Sequence, residues 1–150
     1  MALILTSQAV DNNGLIDPRY TCDGLNVNPP LSISGVPENT KSLALIVDDL
    51  DAMQGDWVHW VLWNIQPSCT EILENSVPLG AQIGVTDFKE YTYGGPCPPN
   101  GKHNYQFKLY ALDTIFTSEE IKIVTKQDLE LHMEGHIIEM AILNAFYSRV

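Results

Sequence analysis

A glycine- and proline-rich loop that runs directly into an alternating strand constrains the fold of this chain more than any other feature. The stretch is GGPCPPNGKHNYQFKLYALD, residues 94–113. Because successive side chains of a strand point to opposite faces, His103 and Tyr105 share one face beside the loop. Gly95 leaves the neighbouring backbone free of side-chain cover. The stretch predicts a cluster of hydrogen-bond donors aimed at one spot, which suits an anion better than a bond-breaking reaction.

Turn signals divide the rest of the chain into short runs that are typical of β-strands. Residues 43–48 are apolar on both parities, which indicates a central strand buried on two faces. Residues 58–65 form a second such run, with His59, Val61 and Trp63 predicted on one face. Residues 1–6 are predicted to form the first strand. Residues 73–92 show no strong period and are predicted to be a long ordered loop.

The last quarter of the chain changes its apolar period. From Lys126, apolar residues fall at positions 129, 133, 137, 138, 141, 142, 145 and 146, which are helical spacings. Thr125 is a plausible N-cap with Asp128 in the first turn, and Gly135 in mid-helix predicts close packing there. The sequence therefore predicts a single mainly β domain over residues 1–150, a sandwich with a C-terminal α-helix.

Composition excludes several classes of function. A net charge of −11 with only eight basic residues argues against sequence-independent nucleic-acid binding, which needs clustered cations. The longest apolar runs are far shorter than the roughly 20 residues of a membrane span, so we expect no membrane insertion. The first residues do not resemble a signal peptide, which predicts a cytoplasmic protein. Cys22 and Cys97 both lie in glycine- and proline-flanked loops that could approach each other, but free thiols are the expected state in a reducing compartment.

An acidic cluster, Asp48-Asp49-Leu50-Asp51, ends the predicted central strand. It is either a solvated strand end or a partner for His59, which is otherwise a core histidine. An aspartate beside His59 would fix its tautomer and raise its pKa, which would make a protonated donor available to an anion.

Catalytic and metal-binding alternatives have weaker sequence support. A divalent metal could take nitrogen and oxygen ligands from Asp49, Asp51, His59 and His103, but the spacing is not that of a tight metal motif. The chain contains no G-x-S-x-G nucleophile motif. An Asp/His hydrolase, with or without metal assistance, therefore stays an alternative hypothesis.

Several motifs, taken together, resemble one family. They are YTCDGLNVNPPLSISGVP (20–37), SLALIVDDLDA (42–52), WVHWVLWNI (57–65), the 94–113 stretch and MEGH (133–136). In this order and at these separations they resemble the phosphatidylethanolamine-binding proteins, in their bacterial and archaeal Raf-kinase-inhibitor-like branch. The resemblance covers nearly the whole chain. It implies an antiparallel β-sandwich with a C-terminal helix and a small pocket for phosphate, acetate or a phosphoethanolamine head group.

The resemblance implies a role for each predicted ligand-binding residue. His59, His103 and the Tyr105 hydroxyl would donate to the anion, together with the backbone N–H of Gly95. Asp49 would orient and charge His59, and Asp51 would hold the loop.

Three positions depart from the family pattern. Leu50 and Met53 replace both prolines of its D-P-D-A-P motif, and Asn104 replaces an arginine. These changes predict a less rigid loop and weaker anion affinity.

The sequence thus favours a small-anion or phospho-head-group binding protein that is regulatory and non-catalytic, with no cofactor. A second hypothesis, suggested by the family, is a kinase or protease inhibitor that acts by protein–protein contact. The resemblance also allows a homodimer.

Overall fold

The computed structural model describes residues 2–53, 55–117, 119 and 121–149. Two β-sheets face each other. The smaller sheet has the strand order β1-β3-β6, from Ile4–Thr6, Leu31–Ser34 and Glu71–Ile72. The larger sheet has the order β2-β9-β8-β4-β5-β7, from Gly14–Leu15, Ile137–Ser148, Lys102–Leu112, Ser42–Asp49, Trp57–Ile65 and Gln82–Ile83. A 3₁₀ turn spans Pro18–Tyr20, and the α-helix α1 spans Lys126–Met133. The predicted mainly β fold is confirmed.

The central strand β4 is buried along its whole length, as the apolar run of both parities predicts. It pairs antiparallel with β5 on one side and with β8 on the other, and β8 pairs antiparallel with β9. The predicted first strand, residues 1–6, is present but shorter, because β1 begins at Ile4; Met1 lies outside the described residues. The 73–92 stretch is irregular except for the two-residue strand β7.

The main core fills the space between the two sheets. The smaller sheet contributes Leu5, Leu31, Ile33 and Ile72, and the larger sheet contributes alternate residues of its strands, including Trp60 and Phe107. The same alternation places His103 and Tyr105 of β8 together at the edge of this core face.

A second core lies on the other face of the large sheet, beneath α1. Leu129 and Met133 of α1 pack on side chains of β4, β5 and β8. Thr125 and Asp128 form a capping box: the Thr125 hydroxyl accepts from the Asp128 N–H at 3.1 Å, and the Asp128 carboxylate accepts from the Thr125 N–H at 3.0 Å. Beside this core, the fully buried Asp48 carboxylate accepts from Lys108 Nζ at 2.9 Å and from Lys126 Nζ at 2.6 Å.

The predicted extent of the C-terminal helix is wrong. The helix ends at Met133, and residues 137–148 form β9, the longest strand of the chain. Gly135 adopts a φ of +79° in the turn between them, a left-handed conformation that favours glycine and stops a helix. Along β9 the odd-numbered residues from 141 to 147 are buried, which is the period of a strand.

The expectation of free thiols at Cys22 and Cys97 is also wrong. The two residues form a disulfide with their Cα atoms 5.4 Å apart, and Cys69 is a free cysteine. The bond connects the turn that follows the 3₁₀ segment to the Gly/Pro loop before β8. Loop 94–101 is therefore held in its middle by the disulfide and at its C-terminal end by β8.

Candidate functional site

A cavity of about 510 Å³ opens where β4, β5 and β8 meet the loops at one end of the main core. Four polar residues line it: Asp49, His59, His103 and Tyr105. The remaining lining residues are mostly apolar: Ala52, Met53, Trp57, Phe88, Cys97, Pro98 and Pro99. A polar cluster surrounded by apolar walls suits a small ligand with one polar group.

His103 and Asp49 form a buried pair. His103 Nδ1 donates to the Asp49 carboxylate at 2.6 Å, and both side chains are almost fully buried. The pairing follows from the register, because Asp49 of β4 lies opposite Tyr105 of β8, and His103 is two residues along on the same face. The prediction that Asp49 orients His59 is wrong, because the carboxylate bonds to His103. Among the described residues, His103 Nε2 has no hydrogen-bond partner.

His59 enters the cavity through a β-bulge. Between β4 and β5 the register shifts by one residue, from Val47 opposite Trp60 to Asp48 opposite Val58. The extra residue is His59, and bulges re-aim side chains in this way. The predicted common face of His59 with Val61 and Trp63 is therefore wrong, since those two residues belong to the core beneath α1.

The imidazole of His59 is held by backbone and aromatic rings. Its Nδ1 lies 2.6 Å from the carbonyl oxygen of Gly94, and its ring makes edge contacts with Phe88 and Tyr105 at 5.3 Å and 5.2 Å between centroids. Burial lowers the pKa of His59, and the Gly94 hydrogen bond and the charge of Asp49 offset only part of that effect. The predicted rise in the pKa of His59 is wrong for this reason.

The Tyr105 hydroxyl is buried without a partner. The residue is 1% exposed, and its hydroxyl makes no hydrogen bond to any described residue, although the Asp49 carboxylate and the Cys97 backbone lie nearby. Burial raises the pKa of the phenol, so the group keeps its proton. A buried hydroxyl without a partner is costly, so a hydrogen bond from this atom to an accepting oxygen would be stabilising.

Asp51 lies beside the cavity and fastens the loop that follows β4. Its carboxylate accepts from the Asn104 N–H at 2.8 Å, and its own N–H donates to the Asp49 carboxylate at 2.8 Å. Asp51 is absent from the lining of the cavity. Its contacts hold Asp49 in place for His103.

Gly95 does not aim its N–H at the cavity. That N–H donates to Asn26 Oδ1 at 2.8 Å, so the predicted anion-donor role of Gly95 is wrong. The glycine is needed for close packing instead, because a Cβ at this position would lie 2.3 Å from the carbonyl oxygen of Tyr20. The loop can approach the 3₁₀ turn only without a side chain there.

The apolar walls escaped the sequence analysis. Trp57 is the first residue of β5 and lies one position before the predicted strand 58–65, while Phe88 lies in the irregular 73–92 stretch. In the sequence, Pro98 and Pro99 indicate only a rigid loop and not a cavity wall. No local pattern indicates that Phe88 packs against His59, because the contact depends on the tertiary fold.

Metal and membrane features were searched over the described part of the chain. There, no three of the His, Cys, Asp and Glu residues come together in a way that could hold a metal ion, so Asp49, Asp51, His59 and His103 do not form such a cluster. Within the same residues, the structure contains no helix long and apolar enough to cross a membrane.

The sequence also matches one known protein family. A family model described as phosphatidylethanolamine-binding protein matches residues 6–148. The chain belongs to the phosphatidylethanolamine-binding protein family.

Individual relatives match over nearly their whole length. A UPF0098 protein from Methanothermobacter thermautotrophicus is 46% identical over 150 residues, which cover 97% of this chain and 98% of the relative. The crystal structure of the phosphatidylethanolamine-binding protein homologue CT736 from Chlamydia trachomatis is 40% identical, with a TM-score of 0.92 and 99% of both chains covered. The structure of E. coli YbcL, described as a new member of the mammalian family, is 30% identical, with a TM-score of 0.89 and 100% of both chains covered.

Proposed function

We propose that this protein binds a small anion or phosphorylated head group in the cavity and acts as a regulatory, non-catalytic binding protein. The observation that carries the proposal is Tyr105, a residue that lines the cavity and whose buried hydroxyl has no hydrogen-bond partner among the described residues. An anionic oxygen would satisfy this donor.

His103 would supply the second donor. Its Nδ1 is bonded to Asp49, which leaves Nε2 for a ligand, and the Asp49 carboxylate balances the charge when the ring carries both protons. The ring lies nearly parallel to that of Tyr105, with centroids 6.3 Å apart. The two side chains thus approach the cavity from the same strand, and their polar atoms can contact one ligand group.

The apolar walls favour a ligand with an organic part attached to the anionic group. Trp57, Phe88 and the two prolines supply apolar surface above the polar residues. A cavity of about 510 Å³ accommodates a head group of this size and not a pair of acyl chains.

The chemistry of the lining supports the proposal of non-catalytic binding. Among the described lining residues, the sulfur of Cys97 is held in the disulfide and the Asp49 carboxylate is already engaged by His103 and by the Asp51 N–H. The raised pKa of Tyr105 makes its phenol a poor nucleophile. These groups are arranged to hold a ligand.

Isothermal titration calorimetry with phosphate and O-phosphorylethanolamine at pH 6 tests the proposal. Saturable binding is expected, and Tyr105→Phe should weaken it because one donor to the anion is lost. Tyr110→Phe is the matched control, since Tyr110 lies on the same strand but packs in the core beneath α1. If neither compound binds, or if Tyr105→Phe binds as tightly as the unchanged protein, the proposal is wrong.

A second candidate function is inhibition of a kinase or protease by surface contact. Met53 favours it, because this apolar residue at the cavity is 85% exposed. The variant Met53→Glu would weaken partner binding under this hypothesis while His59→Ala would not. The reverse result would assign partner binding to the cavity itself.

A further inference from the structure

The Cys22–Cys97 bond joins two loops outside both hydrophobic cores. Cys22 is in the turn that follows the 3₁₀ segment, and Cys97 is in the loop that precedes β8. Both residues are half-buried, and neither is a member of the core between the sheets or of the core beneath α1. The bond is therefore within reach of a thiolate from solvent, which a disulfide enclosed in a core is not.

Arg149 makes the two sulfur atoms chemically different. Its Nη1 donates to Cys97 Sγ at 3.7 Å, and its Nη2 lies 3.1 Å from an Asp23 carboxylate oxygen. The Tyr147 hydroxyl donates to the other Asp23 oxygen at 2.7 Å, so the carboxylate that fixes Arg149 is itself held by β9. The cation thus contacts Cys97, while the carboxylate belongs to the residue next to Cys22.

This asymmetry sets the direction of thiol–disulfide exchange. A neighbouring guanidinium stabilises a thiolate, and a neighbouring carboxylate disfavours one. The sulfur that forms the more stable thiolate is the better leaving group, and the incoming thiolate attacks the other sulfur. Cys97 is therefore the leaving group, and Cys22 carries the sulfur that is attacked.

We propose that the Cys22–Cys97 bond is a reversible thiol–disulfide exchange site, at which a dithiol reductant attacks Cys22 and releases Cys97 as a thiolate paired with Arg149. One thiolate of the reductant forms a mixed disulfide with Cys22 as the S–S bond of the protein breaks. The second thiol of the reductant then closes the reductant's own disulfide, and its proton goes to the Cys22 sulfur. The reductant loses two electrons, and the protein gains a Cys22 thiol and a Cys97 thiolate.

Reduction would release one part of the loop before β8. No backbone hydrogen bond among the described residues involves residues 98–101, so the disulfide at Cys97 is the last fixed point before Lys102. Pro98 and Pro99, which form part of a cavity wall, lie in this segment. The redox state of the bond thus sets the mobility of that wall, whatever the cavity binds.

The kinetics of reduction in the folded protein test the inference first. The chain is incubated at pH 7 without denaturant in increasing concentrations of dithiothreitol, and new thiols are trapped with N-ethylmaleimide. Each cysteine lies in a different tryptic peptide, 20–41 for Cys22, 42–89 for Cys69 and 90–102 for Cys97, so mass spectrometry follows each separately. The rate should rise in proportion to the reductant. Resistance to reduction, or a rate independent of the reductant, would mean that the bond opens only after unfolding and would overturn the inference.

A monothiol reveals which sulfur is attacked. After brief exposure to 2-mercaptoethanol and trapping with N-ethylmaleimide, the mercaptoethanol adduct should be on Cys22 and the maleimide on Cys97. The third cysteine, Cys69, is an internal reference whose modification does not depend on the bond. An adduct found mainly on Cys97 would overturn the inference.

Two arginine variants test the origin of the asymmetry. Arg149→Gln should slow reduction about threefold, the contribution of an exposed ion pair, and should spread the adduct over both sulfur atoms. Arg149→Lys should restore the preference, because it keeps the cation. Arg19→Gln is the matched control, since Arg19 is paired with Glu74 and makes the same change in charge. Equal behaviour of Arg149→Gln and the unchanged protein would overturn the inference.

Nitrogen-15 relaxation tests the release of the cavity wall. Asn100 and Gly101 should show greater backbone motion in the reduced protein than in the oxidised one, while the central strand β4 should not change. Equal relaxation of these two residues in both redox states would show that the bond does not control the loop and would overturn that part of the inference.

Discussion

Removal of the Cys22–Cys97 disulfide should destabilise the protein chiefly through its unfolded state. The double variant Cys22→Ser/Cys97→Ser is expected to fold, because the Cys22 N–H still donates to the Pro96 carbonyl at 3.1 Å. Arg149 also ties the last strand to Asp23, the neighbour of Cys22, at 3.1 Å. Native contacts around the bond therefore survive its loss.

The magnitude follows from the length of chain that the bond closes. The two cysteines are 75 residues apart. In the chain-entropy model a loop of this length loses about 15 cal/mol/K of unfolded-state entropy, or about 4 kcal/mol at room temperature. Measured disulfide contributions are typically about 2–4 kcal/mol, so the model value is an upper bound. For a chain of this size, such a loss lowers the melting temperature by about 10 °C.

Urea unfolding with and without dithiothreitol measures the effect. Reductant should lower the midpoint of the unchanged protein to that of the double variant and should leave the double variant unaffected. The matched control is Cys69→Ser, because Cys69 is outside the bond. Equal midpoints for the unchanged protein and the double variant would refute the reasoning, as would an equal response of both to reductant.

Two further predictions concern buried charge. The variant Asp48→Asn should lose about 3–5 kcal/mol of unfolding free energy, because it leaves the two lysines that share this carboxylate without a buried counter-charge. Asp56→Asn, at a half-exposed partner of one of these lysines, should cost under about 1 kcal/mol in the same urea assay, and equal losses would contradict this account. Burial lowers the pKa of His59 below its ordinary 6.5, so the unfolded state binds more protons and stability should fall as pH drops through 6.5 towards the folded-state value. Unfolding midpoints between pH 8 and pH 5 should change less steeply in His59→Gln, and an unchanged slope would show that another group titrates.

Strands with a strong apolar pattern could be predicted from the sequence. A strand with apolar residues at both odd and even positions is buried on two faces, and β4 is such a strand. The strict alternation of β8 likewise fixed which side chains share a face, and so it placed His103 and Tyr105 together. In both cases the local pattern alone determines the geometry.

The sequence predicts a helix where β9 lies, because apolar residues four positions apart fit the period of a helix and also that of a strand. Residues 129, 133, 137, 141 and 145 share a face in a helix, and residues four apart also share a face in a strand. Gly135 was the stop signal between the two elements, and its positive φ shows why. The isoleucines at 137, 138 and 142 also favour a strand, since β-branched residues lose little rotamer freedom there.

The polar lining of the candidate site was predictable from the sequence, although Asp51 and Gly95, also predicted, do not line the cavity. Its apolar walls and its hydrogen-bond connections were not predictable. The motif residues Asp49, His59, His103 and Tyr105 do line one cavity. Whether Asp49 holds His103 or His59 depends on the bulge in β5. The partner of His59 is the backbone carbonyl of Gly94. A one-residue register shift and a hydrogen bond to a backbone carbonyl do not change the pattern of side chains in the sequence. Neither feature could therefore be predicted without the structure.

The departures from the family pattern differ in what they can do to a ligand. Asn104 lies on the opposite face of β8 from His103 and Tyr105, with its side chain 3.4 Å from Asn144 Oδ1. Its backbone N–H, which any residue but proline would supply, is what holds Asp51. Met53, by contrast, lines the cavity. Ligand preference should therefore respond more to the residue at 53 than to the one at 104, because only the former can touch what the cavity holds.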